Sequence, residues 1–213
     1  MLPKIIPEVL EVYEPVSIWE SFYLKTRWRL CPYEAVEALI PNALKILDFG
    51  CGYGMLANLI AIKKPSRSVV GIDLNCRRIR TAKHSIKNRT NIEFLCAAIE
   101  DLEAAQYDAV VMTDVLHHID DISVKRLLRI VTSLLRDNGV LVILDVDRTP
   151  FWKFYITYLI DRVLNPLSPL YYRSIGELRR LLEEFPISIE KTIRSHKGLP
   201  LSGVIYCYRK YLP

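Results

Sequence analysis

An apolar run, Lys45-Ile46-Leu47-Asp48-Phe49, passes directly into Gly50-Cys51-Gly52-Tyr53-Gly54 and then into the helical pattern Met55-Leu56-Ala57. Three alternate glycines let a chain reverse where a Cβ would clash, and they bring bare backbone against a ligand at the start of the next helix. The stretch therefore reads as strand, nucleotide-binding turn and helix. A dinucleotide loop spaces its glycines G-x-G-x-x-G, which would put the third at position 55, where this chain has Met55. That spacing disfavours NAD and FAD.

An acid two residues before the first glycine, Asp48, followed by G-x-G-x-G, resembles the first motif of the class I S-adenosylmethionine-dependent methyltransferases, small-molecule type. The resemblance implies Asp48 near the cofactor's ammonium, with the turn from Phe49 and Gly50 through Cys51 and Gly52 to Gly54 beneath its sulfonium. It also implies a Rossmann-like α/β three-layer sandwich whose seven-stranded, mostly parallel sheet ends in an antiparallel strand.

Ser68 to Ile72 reads as a second strand closed by Asp73, nineteen residues after Gly54, which is room for one helix and one strand. An acid at that strand end is where mononucleotide folds bind ribose hydroxyls, and Leu74 follows it into the site. After the strand Ile92 to Leu95, the segment Ala98-Ile99-Glu100 aligns with the part of the resembling family that flanks adenine. Many relatives carry an acid where this chain has Ala98, so groups at Ile99 or Glu100 must supply adenine recognition instead.

The fourth strand, from Tyr107, runs into Thr113-Asp114-Val115-Leu116-His117-His118-Ile119. This run resembles the fourth motif of small-molecule methyltransferases, which implies Thr113 and Asp114 at the cofactor. Nucleic-acid amino methyltransferases show Asn-Pro-Pro-Tyr or Asp-Pro-Pro-Tyr here to hold a flipped base, so base methylation is disfavoured. Adjacent residues at a helix start point in different directions, and no other Cys or His lies at ligand spacing, so no metal is expected. A general base from this pair is the alternative to a structural role; His118 is favoured over His117.

Apolar spacing over Ile122 to Leu135, the Asn138-Gly139 stop and the strand Val140 to Val146 complete an alternation of strands and helices. Such alternation implies a parallel sheet with its ligand at the carboxyl ends of the strands. Residues 1–44 form a helical cap in which Tyr13, Tyr23 and Arg27 are candidate substrate-pocket residues and packing is the competing reading. Residues 45–147 form the cofactor-binding core. Residues 148–173 are an aromatic insertion, helical up to Asn165-Pro166, in which Trp152 and Tyr155 are candidate lid residues over substrate. Residues 174–213 supply a helix opened by the Ser174 to Glu177 capping box and a hairpin, Ile187 to Arg194 and Gly203 to Arg209, turning at Lys197-Gly198-Leu199-Pro200.

Five cysteines without C-x-x-C spacing, and no signal-like segment before them, point to reduced thiols in a cytoplasmic protein. Charged residues interrupt the richest apolar stretch, so no segment reaches the length of a membrane span. Between Lys63 and Asn91 nine basic residues face one acid, Asp73, mostly on one predicted helix. That face reads as solvated; an anionic membrane surface, an acidic carrier or a nucleic acid are the other occupants it would suit. The expected activity is methyl transfer from S-adenosylmethionine to a nucleophilic atom, oxygen foremost, of a small or lipid-like acceptor. An RNA- or protein-modifying methyltransferase and a non-catalytic S-adenosylmethionine-binding subunit are the readings from other classes.

Overall fold

The computed structural model describes residues 5–14, 16–40, 44–164, 168–195 and 201–211. Seven strands form one sheet in the order β3-β2-β1-β4-β5-β7-β6. They are β1 (Lys45–Phe49), β2 (Ser68–Asp73), β3 (Ile92–Cys96), β4 (Tyr107–Thr113), β5 (Leu135–Val146), β6 (Ile187–Ser195) and β7 (Gly203–Lys210). β1 to β5 pair in parallel, and β7 lies antiparallel between β5 and β6. The strand order reverses between β1 and β4, where an open α/β sheet leaves a crevice at its carboxyl edge.

Both faces of the sheet are covered, because adjacent side chains of a strand point to opposite sides. Ile46, Val111 and Val142 pack with α4 (Met55–Lys63) and the N-terminal helices α1 (Ile5–Glu11), α2 (Ile18–Leu30) and α3 (Tyr33–Glu37). Their neighbours Leu47, Val110 and Leu141 pack with α6 (Asp121–Leu134) and α8 (Ile175–Leu182). α5 (Cys76–Ser85) follows β2, and α7 (Phe151–Leu164) follows β5. Ser174 accepts from the Glu177 N–H as the capping pattern requires. The Lys197 to Pro200 turn and the Asn165-Pro166 helix end lie outside the described residues.

Three expectations are corrected. The helix expected to reach Leu135 stops at Leu134, since Leu135 already pairs with Tyr107 and the ladder resumes at Ala109 and Val140 after a register shift. Cys76 and Cys96 form a disulfide, with Cα atoms 5.1 Å apart, so thiol reduction cannot be read from cysteine spacing; Cys31, Cys51 and Cys207 are free. The cationic stretch is also less of a surface field than its count suggests. Arg67 is buried and donates to Glu37 at 2.6 Å, Lys63 bonds the same carboxylate, and Arg89 turns inward to Asn58 and the Ser85 carbonyl.

Candidate active site

The glycine turn is shaped by its neighbours as much as by any ligand. Gly50, Gly52 and Gly54 all have positive φ, at 69°, 56° and 77°. A Cβ on Gly50 would stand 2.6 Å from Val115, whereas one on Gly52 would find nothing nearer than Arg78 Cδ at 4.0 Å. Gly52 thus leaves open a space bordered by the cleft, the cradle that a ligand lying on bare backbone requires. Gly54 caps α4 in the left-handed region and offers no side chain to its first turn. Asp48, from β1, does so instead: Oδ2 accepts the Ala57 N–H at 3.1 Å, and Oδ1 has no protein partner. Burial raises the Asp48 carboxyl to about 8, with Asp73 adding to the effect. Asp48 lies under the turn and does not line the cleft.

Two cavities of about 430 and 450 Å3 open at the carboxyl ends of β1, β2 and β4 and share Gly50, Asp73, Leu74, Val115 and Ile119. The first is an apolar slot between Phe49, Ile72, Ala98, Ile99 and Leu127, edged by Glu100. The second is more polar, with Cys51, Gly52, Thr113, Asp114 and His118 on its walls. At their junction Asp73 accepts the Gly52 N–H at 2.8 Å through Oδ2 and the Asn75 N–H at 2.7 Å through Oδ1. Each carboxylate oxygen has a further lone pair for a diol. The apolar slot, the central carboxylate and the bare glycine backbone fit the adenine, ribose and methionine parts of S-adenosylmethionine.

Sequence reasoning placed most of these residues together, but six of its candidates, Asp48, Gly54, Tyr13, His117, Trp152 and Tyr155, lie outside both cavities. Gly54 packs on Phe94 away from the cleft, and Asp48 is below it. Tyr13 is buried in the N-terminal core, donating to the Tyr53 carbonyl and accepting from Asn58, so it is not in the cleft wall. His117 is 2% exposed and faces inward. Tyr23 and Arg27 do line the polar cavity, where Arg27 donates to Asp114 at 2.5 Å. Burial alone would raise the Asp114 carboxyl, but Arg27 and His117 hold it below the usual range. Asp114 occupies the left-handed region, φ 56°, a conformation sustained only by such surrounding contacts.

Trp152 and Tyr155 are exposed, 56% and 51%, because α7 turns Thr157, Ile160 and Asp161 toward the protein and its aromatic stripe outward. Sequence reasoning missed Tyr33, Tyr53, Arg78, Asp161 and Ser168, which complete the polar cavity from three helices and two loops. It also missed Arg173, which donates to the Leu116 and Ile119 carbonyls at 2.7 and 2.6 Å and clamps the turn that carries both histidines. No local spacing announces contacts across fifty residues.

His118 lines the polar cavity with its Nδ1 3.2 Å from the Pro169 carbonyl and 3.0 Å from Ser168 Oγ. Burial, and then the neighbouring His117, lower its basicity below the ordinary imidazole value. A ring held by Nδ1 and neutral near pH 7 leaves Nε2 available to accept a proton.

Residues 23–188 match the methyltransferase domain family. The chain belongs to that family. The methyltransferase is 32% identical over 171 residues to a ubiquinone biosynthesis O-methyltransferase of Chromobacterium violaceum, covering 76% of this chain and 68% of the relative. It is also 32% identical over 122 residues to the protein of the same name from Xanthomonas campestris, there covering 55% of this chain and 49% of that one. The chain thus spans about half the length of several such relatives. Its fold matches a mitomycin 7-O-methyltransferase with TM-score 0.70 at 21% identity, over 83% of this chain and 53% of that one. A magnesium protoporphyrin IX methyltransferase from Synechocystis superposes with TM-score 0.68 at 17% identity, over 96% of this chain and 93% of that one. The class I methyltransferase sheet, with its antiparallel seventh strand, is the fold of this protein.

Proposed function

We propose that the protein moves a methyl group from S-adenosylmethionine to a hydroxyl oxygen of a small, largely apolar acceptor. The observation that carries this reading is one continuous cleft, in which an adenosine-sized apolar compartment edged by Asp73 runs into a polar compartment edged by His118. The name O-methyltransferase borne by the relatives supports oxygen as the acceptor atom. When bound, the cofactor supplies a methyl carbon on a sulfonium, already a good leaving group. Asp73 would accept from the ribose hydroxyls, Phe49 and Ile99 would line the adenine compartment, and the Gly50 to Gly52 backbone would support the methionine portion. Arg27, Tyr23 and Tyr33 would hold the acceptor, and His118 Nε2 would take its hydroxyl proton while the methyl carbon leaves the sulfur for the acceptor oxygen. Most of the rate comes from holding the two partners in line, with the base secondary.

The test is an extract incubated with methyl-labelled cofactor and the protein, with products divided into lipid, small-molecule, nucleic-acid and protein fractions. Label in the lipid or small-molecule fraction is expected; label only in nucleic acid or protein would replace this acceptor class with the macromolecular one. On the labelled acceptor, His118→Ala should lower turnover by on the order of ten- to a hundredfold, the low end for a general base. The wild-type rate should stay level through neutral pH and fall as pH drops below the lowered His118 value, since protonation removes the base. A His118→Ala protein with full rate at every pH would remove the base from the mechanism.

Peripheral contact with an anionic lipid surface belongs to the same proposal, and it is supported by the outward stripe of α7. Phe151, Trp152, Tyr155, Leu159 and Val163 are exposed along it, and Ile18, Trp19 and Phe22 are exposed on α2. α2 abuts the cationic α5 through Thr81 to Glu20, 3.1 Å, so apolar and basic surfaces adjoin. Among the described residues no helix is long and apolar enough to cross a membrane. Sedimentation with phosphatidylglycerol vesicles should capture the protein, and Trp152→Ser with Tyr155→Ser should lower the bound fraction severalfold at unchanged melting temperature. Equal capture of this double variant would detach the stripe from the lipid contact.

A further inference from the structure

His117 has no place in the chemistry proposed above, yet it is buried among carboxylates. Its Nδ1 lies 2.5 Å from Asp145 Oδ1, an oxygen that also accepts the Val146 N–H. Its Nε2 has no hydrogen-bond partner and lies 3.6 Å from Asp161 Oδ2, which accepts the Tyr172 hydroxyl at 2.6 Å. The Tyr172 ring stacks on the imidazole with centroids 5.3 Å apart, and the His118 ring sits 4.2 Å away on the side of the cleft.

A neutral imidazole has one N–H and one lone pair. If Nδ1 donates to Asp145, the Nε2 lone pair of a neutral ring would face the Asp161 carboxylate and repel it. Only the doubly protonated ring offers a positive N–H edge to each acid. Three carboxylates, Asp114, Asp145 and Asp161, converge on this region from the ends of β4 and β5 and from α7; Arg27 on α2 faces them and is engaged with Asp114. A second cation at His117 reduces the cluster's excess negative charge.

We propose that His117 is a positioning residue: a buried imidazolium that bridges Asp145 of the sheet to Asp161 of α7 and, by its charge, keeps the adjacent His118 neutral. The inference rests on the reading of His118 as the base. In chain order, the 3-10 turn Leu116–His118 puts one histidine below the cleft floor and the next in the cleft wall, so a single turn carries both the base and the charge that tunes it. Against its own burial, the Asp145 carboxylate pushes His117 up to about 9, in keeping with this geometry. Besides His117, the groups facing His118 are the Pro169 carbonyl, the Ser168 hydroxyl and the two acids Asp161 and Asp145, which act in the opposite direction. The closest charge is the His117 ring itself, and even with the screening of water a unit charge about 4 Å away displaces a titration by roughly 0.7 pH unit, more where water is excluded.

The measurement is a pH titration of the imidazole nitrogens by NMR on the full chain, which has four histidines, His84, His117, His118 and His196, assigned by single substitutions. In the wild type, His117 should remain doubly protonated through neutral pH while His118 titrates below the free-imidazole value. In His117→Gln, the His118 titration should move up by about one pH unit. Asp161→Asn, at the cleft wall, provides a second variant that does not depend on the first one folding; it should bring the His117 titration down. A His117 that titrates like a free imidazole, or a His118 unmoved in His117→Gln, overturns the proposal. No acceptor enters these titrations, so the two failures are distinguishable: an unmoved His118 removes the role of His117, whereas full turnover in His118→Ala removes the base on which that role rests.

Discussion

Gly54→Ala should destabilise the protein by about 4 kcal/mol, read as a large drop in the urea midpoint at unchanged slope. Two costs combine at this position. The residue has φ 77°, and an alanine held in the left-handed region loses about 1–2 kcal/mol. Its Cβ would also stand 2.3 Å from two ring carbons of Phe94 and 3.3 Å from the Ala82 Cβ. Phe94 is fully buried on β3 and lies nearly as close to Gly71, where a Cβ would stand 2.6 Å from the ring, so its ring cannot swing aside without striking β2. Overpacking of a well-filled core costs about 1–3 kcal/mol more. Phe94→Leu in the Gly54→Ala background should recover part of the packing loss and none of the backbone loss. A Gly54→Ala protein within about 1 kcal/mol of wild type would show that the ring has room to move.

Asp73→Ala should weaken binding of S-adenosylhomocysteine by about 3 kcal/mol, on the order of a hundredfold, measured by calorimetry. The carboxylate has two duties, and alanine abolishes both. In the proposed binding mode it would offer charged acceptors to a ribose diol, and it already accepts the Gly52 and Asn75 N–H groups, which join the glycine turn to the start of α5. Removing it leaves two backbone donors unmatched at the wall of the very cavity that receives the ligand. Asp73→Asn keeps one acceptor oxygen and should lose only about tenfold. Unchanged affinity in Asp73→Ala, with a lowered urea midpoint, would reduce Asp73 to a brace for the turn.

Much of this architecture is legible along the chain because its signals are local. Gly50, Gly52 and Gly54 must adopt positive φ, and only their spacing separates this turn from a dinucleotide loop. Asp73 lies at the end of β2, and it reaches the Gly52 N–H because β1 and β2 run parallel into the glycine turn. The hairpin strands and the Ser174 cap follow from period-two alternation and from a four-residue pattern.

Where the reading of residues failed, the deciding contact was remote. Tyr13 and Tyr23 share one aromatic, helix-rich segment, yet one hydroxyl is buried against Asn58 and Tyr53 while the other ring lines the cleft beneath Arg78. The insertion shows the same limit. Its apolar spacing predicts a helix, and α7 forms, but periodicity identifies a stripe without saying what covers it. The inward face is the one bearing Asp161, held by the Tyr172 hydroxyl and beside His117, and the aromatic stripe is left outside.

Chain order and spacing thus determined the alternation of strands and helices, the glycine turn, Asp73 and the two-histidine turn, since each is set by backbone dihedrals and side-chain period within a few residues. Tertiary structure alone decided that Asp48 caps α4 from beneath, that Glu37 pairs with two cations of the basic stretch, and that His117 faces carboxylates while His118 faces the cleft. These depend on which groups burial brings together from nine to about fifty residues apart, where water can no longer satisfy a charge and only a partner from another element can.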